Sequence, residues 1–213
     1  TELLQRQAQE DDESILPNVE LADVPAGLPE LEFRESGSGN IRNTSYAQGT
    51  NGLVYQQALC PLPALAPEQL QALPYYTNVL TELGLGGADY LETQHRQSAT
   101  VGSINVFTSM RGRVDDEQQV TANLVLSSKA LSRNAAEQAR LMHDTMHRVR
   151  FDEAERIRDL VSQQRARREQ AVTGNGHGLA MAAACAGMSP LARLNHDLSG
   201  LAGIRSVRAL DEN

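Results

Sequence analysis

The feature that most constrains the fold is a change of hydrophobic period near Ser132. Before this residue five segments are predicted to be strands, and one of them, residues 101–108, alternates side chains between two faces as a strand does. After it, apolar residues recur every three or four positions, as in amphipathic helices. Strands followed by helices predict an α+β domain, in which helices pack on one face of an antiparallel sheet.

Five segments are predicted to be strands. The first two, near residues 30–35 and 40–47, flank the sequence SGSGN, whose composition suits a hairpin turn. Residues 53–62 form an extended apolar run that is expected to be a core strand. The last two, within residues 100–113 and 115–131, meet at the polar sequence RVDDEQ and are expected to pair as a hairpin.

Two helices are predicted between these strands. Pro67 fits the first turn of one helix, and Gly84 or Gly86 is expected to end it. Pro74 lies inside that segment and should kink or divide the helix, because proline lacks a backbone N–H. A shorter helix is expected from Asp89 to Gln97.

Further helices are predicted after Ser132. Residues 132–151 and 151–172 each have the helical period, and residues 189–210 supply one or two closing helices. Residues 179–188 (LAMAAACAGM) are apolar nearly all round, so this helix is expected to be buried. The apolar stripe of the first of these helices consists of Ala135, Ala139, Met142, Met146 and Val149.

The chain is expected to have two parts. Residues 1–28 are acidic and contain prolines that hold the chain extended, which indicates a linker tail, and residues 29–213 form the α+β domain. Because Thr1 starts the chain within a helical pattern, the sequence predicts a piece of a longer protein.

Charge and hydropathy argue against two classes of partner. Residues 1–35 hold ten acidic residues against two arginines, and the remainder is balanced, within a net charge of −8. Nucleic acid needs a basic face, so none is expected as a partner. The arginine-rich helix near residues 156–168 has interleaved acids, which indicates a solvated or inter-domain face. No run approaches the roughly 18 apolar residues of a bilayer span, so no membrane partner is expected either.

The two cysteines, Cys60 and Cys185, are far apart in sequence and indicate neither a disulfide framework nor a cysteine metal site. They are expected to be reduced, buried as small apolar residues, and part of a cytoplasmic protein.

The sequence HDTMH, residues 143–147, places two histidines at the i, i+4 spacing of a helical zinc site. Both lie roughly 100° to 140° round the helix from the apolar stripe, so they are expected at the solvent edge. Asp144 is one methylene shorter than the usual glutamate base, and no third ligand is evident nearby. We therefore expect surface histidines, with a metallohydrolase built on His143 and His147 as an alternative hypothesis.

Several collinear stretches carry a resemblance that covers nearly the whole chain. They are TNGLVY, LPYYTNVLTELG, DYLETQHRQSATVG, LVLSSKALSRN, VRFDEAERIRDLVSQQRAR and GNGHGLAMAAACAGMSPLARLNHDLSGL. In order and spacing they resemble the third domain of presequence-protease-type members of the insulinase (pitrilysin) metallopeptidases. The acidic leader is similar to the tail of the linker that joins the two halves of those enzymes.

The resemblance implies four related α+β domains in two halves that enclose a chamber for unfolded peptides. It also implies zinc in the first domain, held by an HxxEH motif and a distant glutamate. In this chain the motif's positions are occupied by residues 75–79 (Tyr-Tyr-Thr-Asn-Val), none of which is a zinc ligand of the expected kind. We therefore expect no catalytic residue, metal ligand or cofactor in this segment, and zinc in the parent enzyme.

The sequence GNGHG, residues 174–178, could be read as a phosphate loop, but it follows a helix and lacks a lysine. A helix break that leads into the next helix is the simpler interpretation. If the resemblance holds, Gly174, Gly176 and His177 are candidates for residues that face the peptide chamber.

The leading hypothesis is a non-catalytic domain of a bacterial, cytoplasmic zinc metalloendopeptidase, which forms chamber wall and inter-domain contacts. Its expected partners are the remaining domains of the parent peptidase and the unfolded peptide held by that parent. The isolated chain is also expected to be able to dimerise through an uncovered apolar face. The alternative from another class is a free-standing, inactive insulinase-fold interaction or scaffold module.

Overall fold

The computed structural model describes residues 2–8, 16–27 and 30–212. The chain divides into two compact units, residues 1–49 and 50–213. Both contain antiparallel sheet, and the described part of the second adds seven α-helices, so the predicted α+β class is confirmed. The acidic run at residues 10–13 lies outside the described residues.

The first unit contains a short helix, α1 (Glu2–Gln7), and a β-hairpin. Strands β1 (Phe33–Ser38) and β2 (Ile41–Tyr46) pair antiparallel, as predicted for this region. The hairpin turns at Gly39, whose φ of 60° is a left-handed conformation that glycine adopts without steric cost.

The second unit is built on a three-stranded antiparallel sheet. Its strands are β3 (Leu53–Pro61), β4 (Ser103–Gly112) and β5 (Val120–Leu131), all three within the predicted segments. The spatial order is β3-β5-β4, so β5 is central and β3 and β4 are the edges.

The strand register gives this sheet two unlike faces. On the inner face Ala58, Leu126 and Val106 lie side by side and pack into the hydrophobic core. On the outer face Leu59 and Phe107 flank the buried Val125 and remain 60% and 43% exposed. The described helices therefore cover the inner face and leave the outer face open, as the predicted one-sided arrangement requires.

Two helices lie between β3 and β4: α2 (Pro67–Val79) and α3 (Tyr90–Thr100). The sequence predicts that Pro74 kinks or divides this helix. Pro74 lies inside α2 and does not divide it. The helix also ends earlier than expected, at Val79 instead of Gly84 or Gly86. The reason is tertiary, since Leu80 and Leu83 are buried in the core and the chain turns there to place them.

The helices α4 (Ala135–His147) and α5 (Ala154–Gly174) follow β5. The predicted stripe of α4 is partly wrong, because Ala139 is exposed while Gln138 and Thr145 are buried beside Leu141 and Met142. Packing against β5 and α3 from two sides sets the buried face of this helix.

The last three helices are α6 (Gly176–Cys185), α7 (Pro190–Ser199) and α8 (Leu201–Asp211). The expectation that residues 179–188 are buried is wrong. Within α6 only Leu179 is buried among the described side chains, and Met181 is 65% exposed. This helix packs on α5 and α7, and no described element of the second unit covers its remaining surface.

Both cysteines are exposed, so the expectation of buried thiols is also wrong. Cys60 lies near the end of the edge strand β3, and Cys185 is the last residue of the exposed helix α6. Among the residues described, no helix combines the length and the apolar character that a membrane span requires.

Candidate functional site

A cleft opens in the second unit where α2, β4, α5 and α7 meet, with a volume of about 360 Å³. Its apolar wall includes Val106 and Met110 of β4. The polar and charged residues that line it are Thr77, Asn78, Thr108, Gln164, Arg168, Asn195 and Ser199. A mixed lining with a few convergent polar groups is typical of binding sites.

Two of the α2 residues that the resemblance aligns with the zinc-binding motif, Thr77 and Asn78, line the cleft. Tyr75, Thr77 and Val79 are buried, and Asn78 is half-buried at the cleft. Tyr76 is exposed and stacks on Phe151 at a ring separation of 6.0 Å. At the cleft this helix thus places Thr77 and Asn78, neither of which is a zinc ligand of the expected kind.

Tyr75 is fixed by burial and by its neighbours on α8. It packs against Val161 and Val207, and its hydroxyl group hydrogen-bonds Ser206. Burial raises the pKa of Tyr75, and the positive charge of Arg168 and the bond to Ser206 oppose that shift only in part. The phenol is therefore neutral and serves as part of the wall behind Arg168.

Arg168 brings the positive charge of the cleft. One Nη donates a hydrogen bond of 2.9 Å to the carbonyl oxygen of Leu198, and the guanidinium lies 5.8 Å from the centre of the Tyr75 ring. Among the described residues it is the only charged residue in the cleft lining, and it forms no ion pair with them. Its charge is thus directed at the cleft without a carboxylate to neutralise it.

Three side-chain amides line the same cleft as this arginine: Asn78, Gln164 and Asn195. Within the described part of the chain, Oε1 of Gln164 is buried and has no hydrogen-bond partner. A buried amide oxygen without a donor is uncommon, because hydrogen bonds satisfy most buried polar groups. The unused donors and acceptors of this cleft can bind a polar ligand.

The histidines of HDTMH lie at the solvent edge, as the helical period predicts. His143 and His147 are exposed, and their rings stack at 4.5 Å. Asp144 pairs with Arg96 at an N–O distance of 2.9 Å, and its other carboxylate oxygen lies 3.7 Å from Nδ1 of His143. Across residues 2–8, 16–27 and 30–212, no group of three or more His, Cys, Asp or Glu residues is placed to hold a metal ion.

Gly174, Gly176 and His177 lie at the junction of α5 and α6, away from the cleft lining. All three are exposed, and a Cβ at either glycine would meet no atom within 4 Å. Neither glycine therefore owes its presence to close packing in the described structure. Whether this junction faces a peptide remains a prediction.

Sequence reasoning missed most of the cleft. The sequence predicts a solvated or inter-domain face for the arginines of α5, Arg168 included. Arg165 does form a local pair, with its Nε 3.1 Å from Glu169. Gln164 and Asn195 were not singled out. One signal was available: Gln164 and Arg168 are four residues apart and thus share one side of α5.

The family model described as peptidase M-16C associated matches residues 1–210. A mitochondrial presequence protease of Danio rerio is 28% identical over 212 residues, which cover 99% of this chain and 21% of that protein. The mitochondrial presequence protease of Mus musculus is 26% identical over 210 residues, which are 97% of this chain and 20% of the relative.

A plant relative, presequence protease 1 of Arabidopsis thaliana, described as chloroplastic/mitochondrial, is 22% identical over 200 residues. That alignment covers 92% of this chain and 18% of the relative. The chain therefore spans about a fifth of the length of the curated relatives it matches.

These comparisons overturn two expectations. The relatives are mitochondrial or chloroplastic proteins of eukaryotes, so the expectations of a bacterial source and of a cytoplasmic location are wrong. The cytoplasmic expectation depended on unpaired cysteines, which indicate a reducing compartment without identifying which one.

Proposed function

Because this chain belongs to the family described as peptidase M-16C associated, we propose that it is a non-catalytic domain of a zinc metalloendopeptidase. In that parent it forms part of the wall of an enclosed peptide chamber and contacts the other domains. The parent cuts peptides by zinc-activated water at a site outside these residues. The names of the relatives favour a mitochondrial or chloroplast setting.

The coverage of the relatives supports a parent of several domains. The alignments extend over almost the whole chain but only about a fifth of each relative, which leaves room for a separate catalytic part. Within this segment we propose that residues 1–28 belong to an inter-domain linker and residues 29–213 to the domain itself.

The observation that carries the proposed inter-domain contact is the exposed apolar helix α6. Its sequence, GHGLAMAAAC, contains no Asp, Glu, Lys or Arg, and His177 is its only residue that can take a positive charge. Most of the helix is nevertheless exposed. A soluble domain rarely leaves such a surface in water unless another protein surface covers it. We propose that a neighbouring domain of the parent covers α6.

The open outer face of the sheet supports the proposed chamber wall. It presents polar side chains around a short apolar row, in which Leu59 and Phe107 are the exposed members. Such a face can contact extended peptides of varied sequence, because it offers both apolar surface and hydrogen-bonding groups. Gly174, Gly176 and His177 are proposed as a second contact with the chamber.

The test measures association between residues 1–213 and the remaining part of the full-length protein, expressed separately. We expect a stable complex by analytical ultracentrifugation, with peptide hydrolysis restored on mixing and abolished by a zinc chelator. Met181→Gln should weaken the complex at least tenfold. Leu91→Gln, at a similarly exposed apolar residue of α3, is the matched control and should leave it unchanged.

Two outcomes would contradict the proposal. Absence of any complex would favour a free-standing scaffold module. Chelator-sensitive peptide hydrolysis by residues 1–213 alone would show that this segment is itself catalytic.

A further inference from the structure

We infer that the cleft between α2, β4, α5 and α7 binds a peptide carboxylate on Arg168, with Asn78, Gln164 and Asn195 holding adjacent peptide groups. The choice of a peptide as the ligand rests on the proposed function. The binding cleft itself is argued from charge, hydrogen bonding and shape.

The charge of the cleft selects an anion. Arg168 carries the only formal charge in the described lining, and it has no carboxylate partner among the described residues. Its guanidinium has five N–H donors, of which one is used by the carbonyl oxygen of Leu198. The planar arrangement of the remaining donors matches the two oxygens of a carboxylate.

The guanidinium is held in place before any ligand arrives. The bond to Leu198 fixes one side, and the Tyr75 ring lies behind it at 5.8 Å. On the side of the Leu198 carbonyl, α8 approaches so closely that a Cβ at Gly203 would lie 3.2 Å from Nη1 of Arg168. A side chain fixed in this way loses little conformational entropy when it binds, which favours recognition.

The three amides fit the main chain of a peptide. Each side-chain amide has a carbonyl oxygen that can accept from a peptide N–H and an NH₂ group that can donate to a peptide carbonyl oxygen. The side chains of Asn78, Gln164 and Asn195 have no hydrogen-bond partner among the described residues, and the oxygen of Gln164 is buried as well. A peptide N–H in the cleft would supply the donor that this oxygen lacks.

The shape of the cleft suits a short extended segment. Its volume of about 360 Å³ lies within the roughly 300–1,000 Å³ of typical ligand sites. Val106 and Met110 of the edge strand β4 provide apolar surface on one side. The lining thus offers side-chain surface, main-chain partners and an anion site within one cavity.

The experiment titrates the ¹⁵N-labelled 213-residue chain with three peptides and follows amide chemical shifts. The probes are acetyl-Ala-Ala-Ala with a free C-terminus, the same peptide amidated, and amidated acetyl-Ala-Asp-Ala. We expect saturable shifts at the cleft with a carboxylate-bearing probe and at least tenfold weaker binding of amidated acetyl-Ala-Ala-Ala. Comparing the affinity for acetyl-Ala-Ala-Ala with that for amidated acetyl-Ala-Asp-Ala shows whether the cleft prefers a C-terminal or a side-chain carboxylate.

Variants connect the binding to the residues named. Arg168→Gln should weaken carboxylate binding at least tenfold, and Arg168→Lys should recover part of it by restoring the charge without the planar donors. Arg167→Gln, at the exposed neighbour that hydrogen-bonds Gln163, is the matched control and should bind as the unaltered chain does. Gln164→Leu removes the amide without touching the Leu198 contact, and it should weaken binding even if Arg168→Gln does not fold.

The inference is overturned if no probe binds the folded chain, or if the free and amidated tripeptides bind equally. It is also overturned if Gln164→Leu and Arg167→Gln have the same effect. Any of these results would leave the association test of the proposed function unaffected, because that test depends on α6 and not on the cleft.

Discussion

Gln138 of α4 is a fully buried amide, with 0% of its surface exposed. Both its amide nitrogen and its oxygen have no hydrogen-bond partner within the described residues. A buried polar atom without a partner loses its bonds to water and gains none in the fold, which costs about 1–3 kcal/mol. This side chain therefore lowers the stability of the domain.

Gln138→Met should raise the free energy of unfolding by about 1 kcal/mol, since methionine has a similar shape and needs no hydrogen bond. Urea denaturation measures the change. The matched control is Gln97→Met, which removes the 3.0 Å bond from Gln97 to the carbonyl oxygen of Thr81 and should destabilise the domain. A loss of stability in Gln138→Met would mean that a bound water satisfies the amide.

Asp144 forms one of the two ion pairs that Arg96 of α3 makes with α4, the other being with Glu137. Burial by itself would raise the pKa of Asp144, but the hydrogen bond from Arg96 and the charges of Arg96 and Arg148 outweigh it, so the pKa is lowered. The carboxyl side chain is 16% exposed and lies 2.9 Å from Arg96. The pair therefore stabilises the folded state only while Asp144 is ionised.

The sign of the pH dependence follows from the lowered pKa. An unfolded aspartate titrates near pH ~3.9. The stabilisation is complete above that pH and is lost as the pH falls through the lower pKa of the folded state.

Arg96→Met should cost about 1 kcal/mol at neutral pH and should flatten the loss of stability below about pH 5. Arg113 forms an exposed ion pair with Asp115 in a loop, and Arg113→Met is the control. It should change neither the stability at neutral pH nor the loss of stability in acid. An unchanged acid profile in Arg96→Met would refute this role.

At the scale of elements, the central strand β5 explains why the sheet is stable with one open face. Leu126 is 1% exposed and packs between Ala58 and Val106 on the inner face. The neighbouring outer-face position of β3, Leu59, is 60% exposed. Two leucines on the same sheet thus have opposite environments.

Leu126→Ala should cost about 3 kcal/mol, because it removes buried surface and leaves a cavity. Leu59→Ala should cost less than about 0.5 kcal/mol in the isolated chain, because the side chain is already in water. Chemical denaturation of both variants measures the contrast. Equal losses would mean that the outer face is covered in the chain itself.

At the scale of the whole molecule, two apolar surfaces of the second unit are uncovered. One is helix α6 and the other is the row on the outer face of the sheet. Exposed apolar surface of this kind favours association, so the isolated chain is expected to self-associate as its concentration rises.

The double variant Met181→Gln and Met188→Gln should shift this self-association to higher concentration, since both side chains are exposed. Sedimentation velocity over a hundredfold concentration range measures the change. Thermal unfolding at low concentration should be unaffected and serves as the control. An unaltered association constant would place the contact elsewhere, such as on the open sheet.

The sequence by itself determined the kind of each element and their order. The extended apolar run at residues 53–62, the alternation within residues 101–108 and the apolar centre at residues 124–126 identified the three strands of the larger sheet, because side-chain alternation and strand propensity are local properties of the sequence. The same local logic placed His143 and His147 at the solvent edge of α4.

Only the tertiary structure decided which apolar surfaces are buried and which residues meet. LAMAAACAGM has the composition of a core helix, yet it is exposed because burial depends on what packs against it. The cleft joins Asn78, Gln164 and Asn195, which come from three helices far apart in the sequence. Periodicity describes one element at a time, whereas a site depends on the relative positions of several elements, which packing determines.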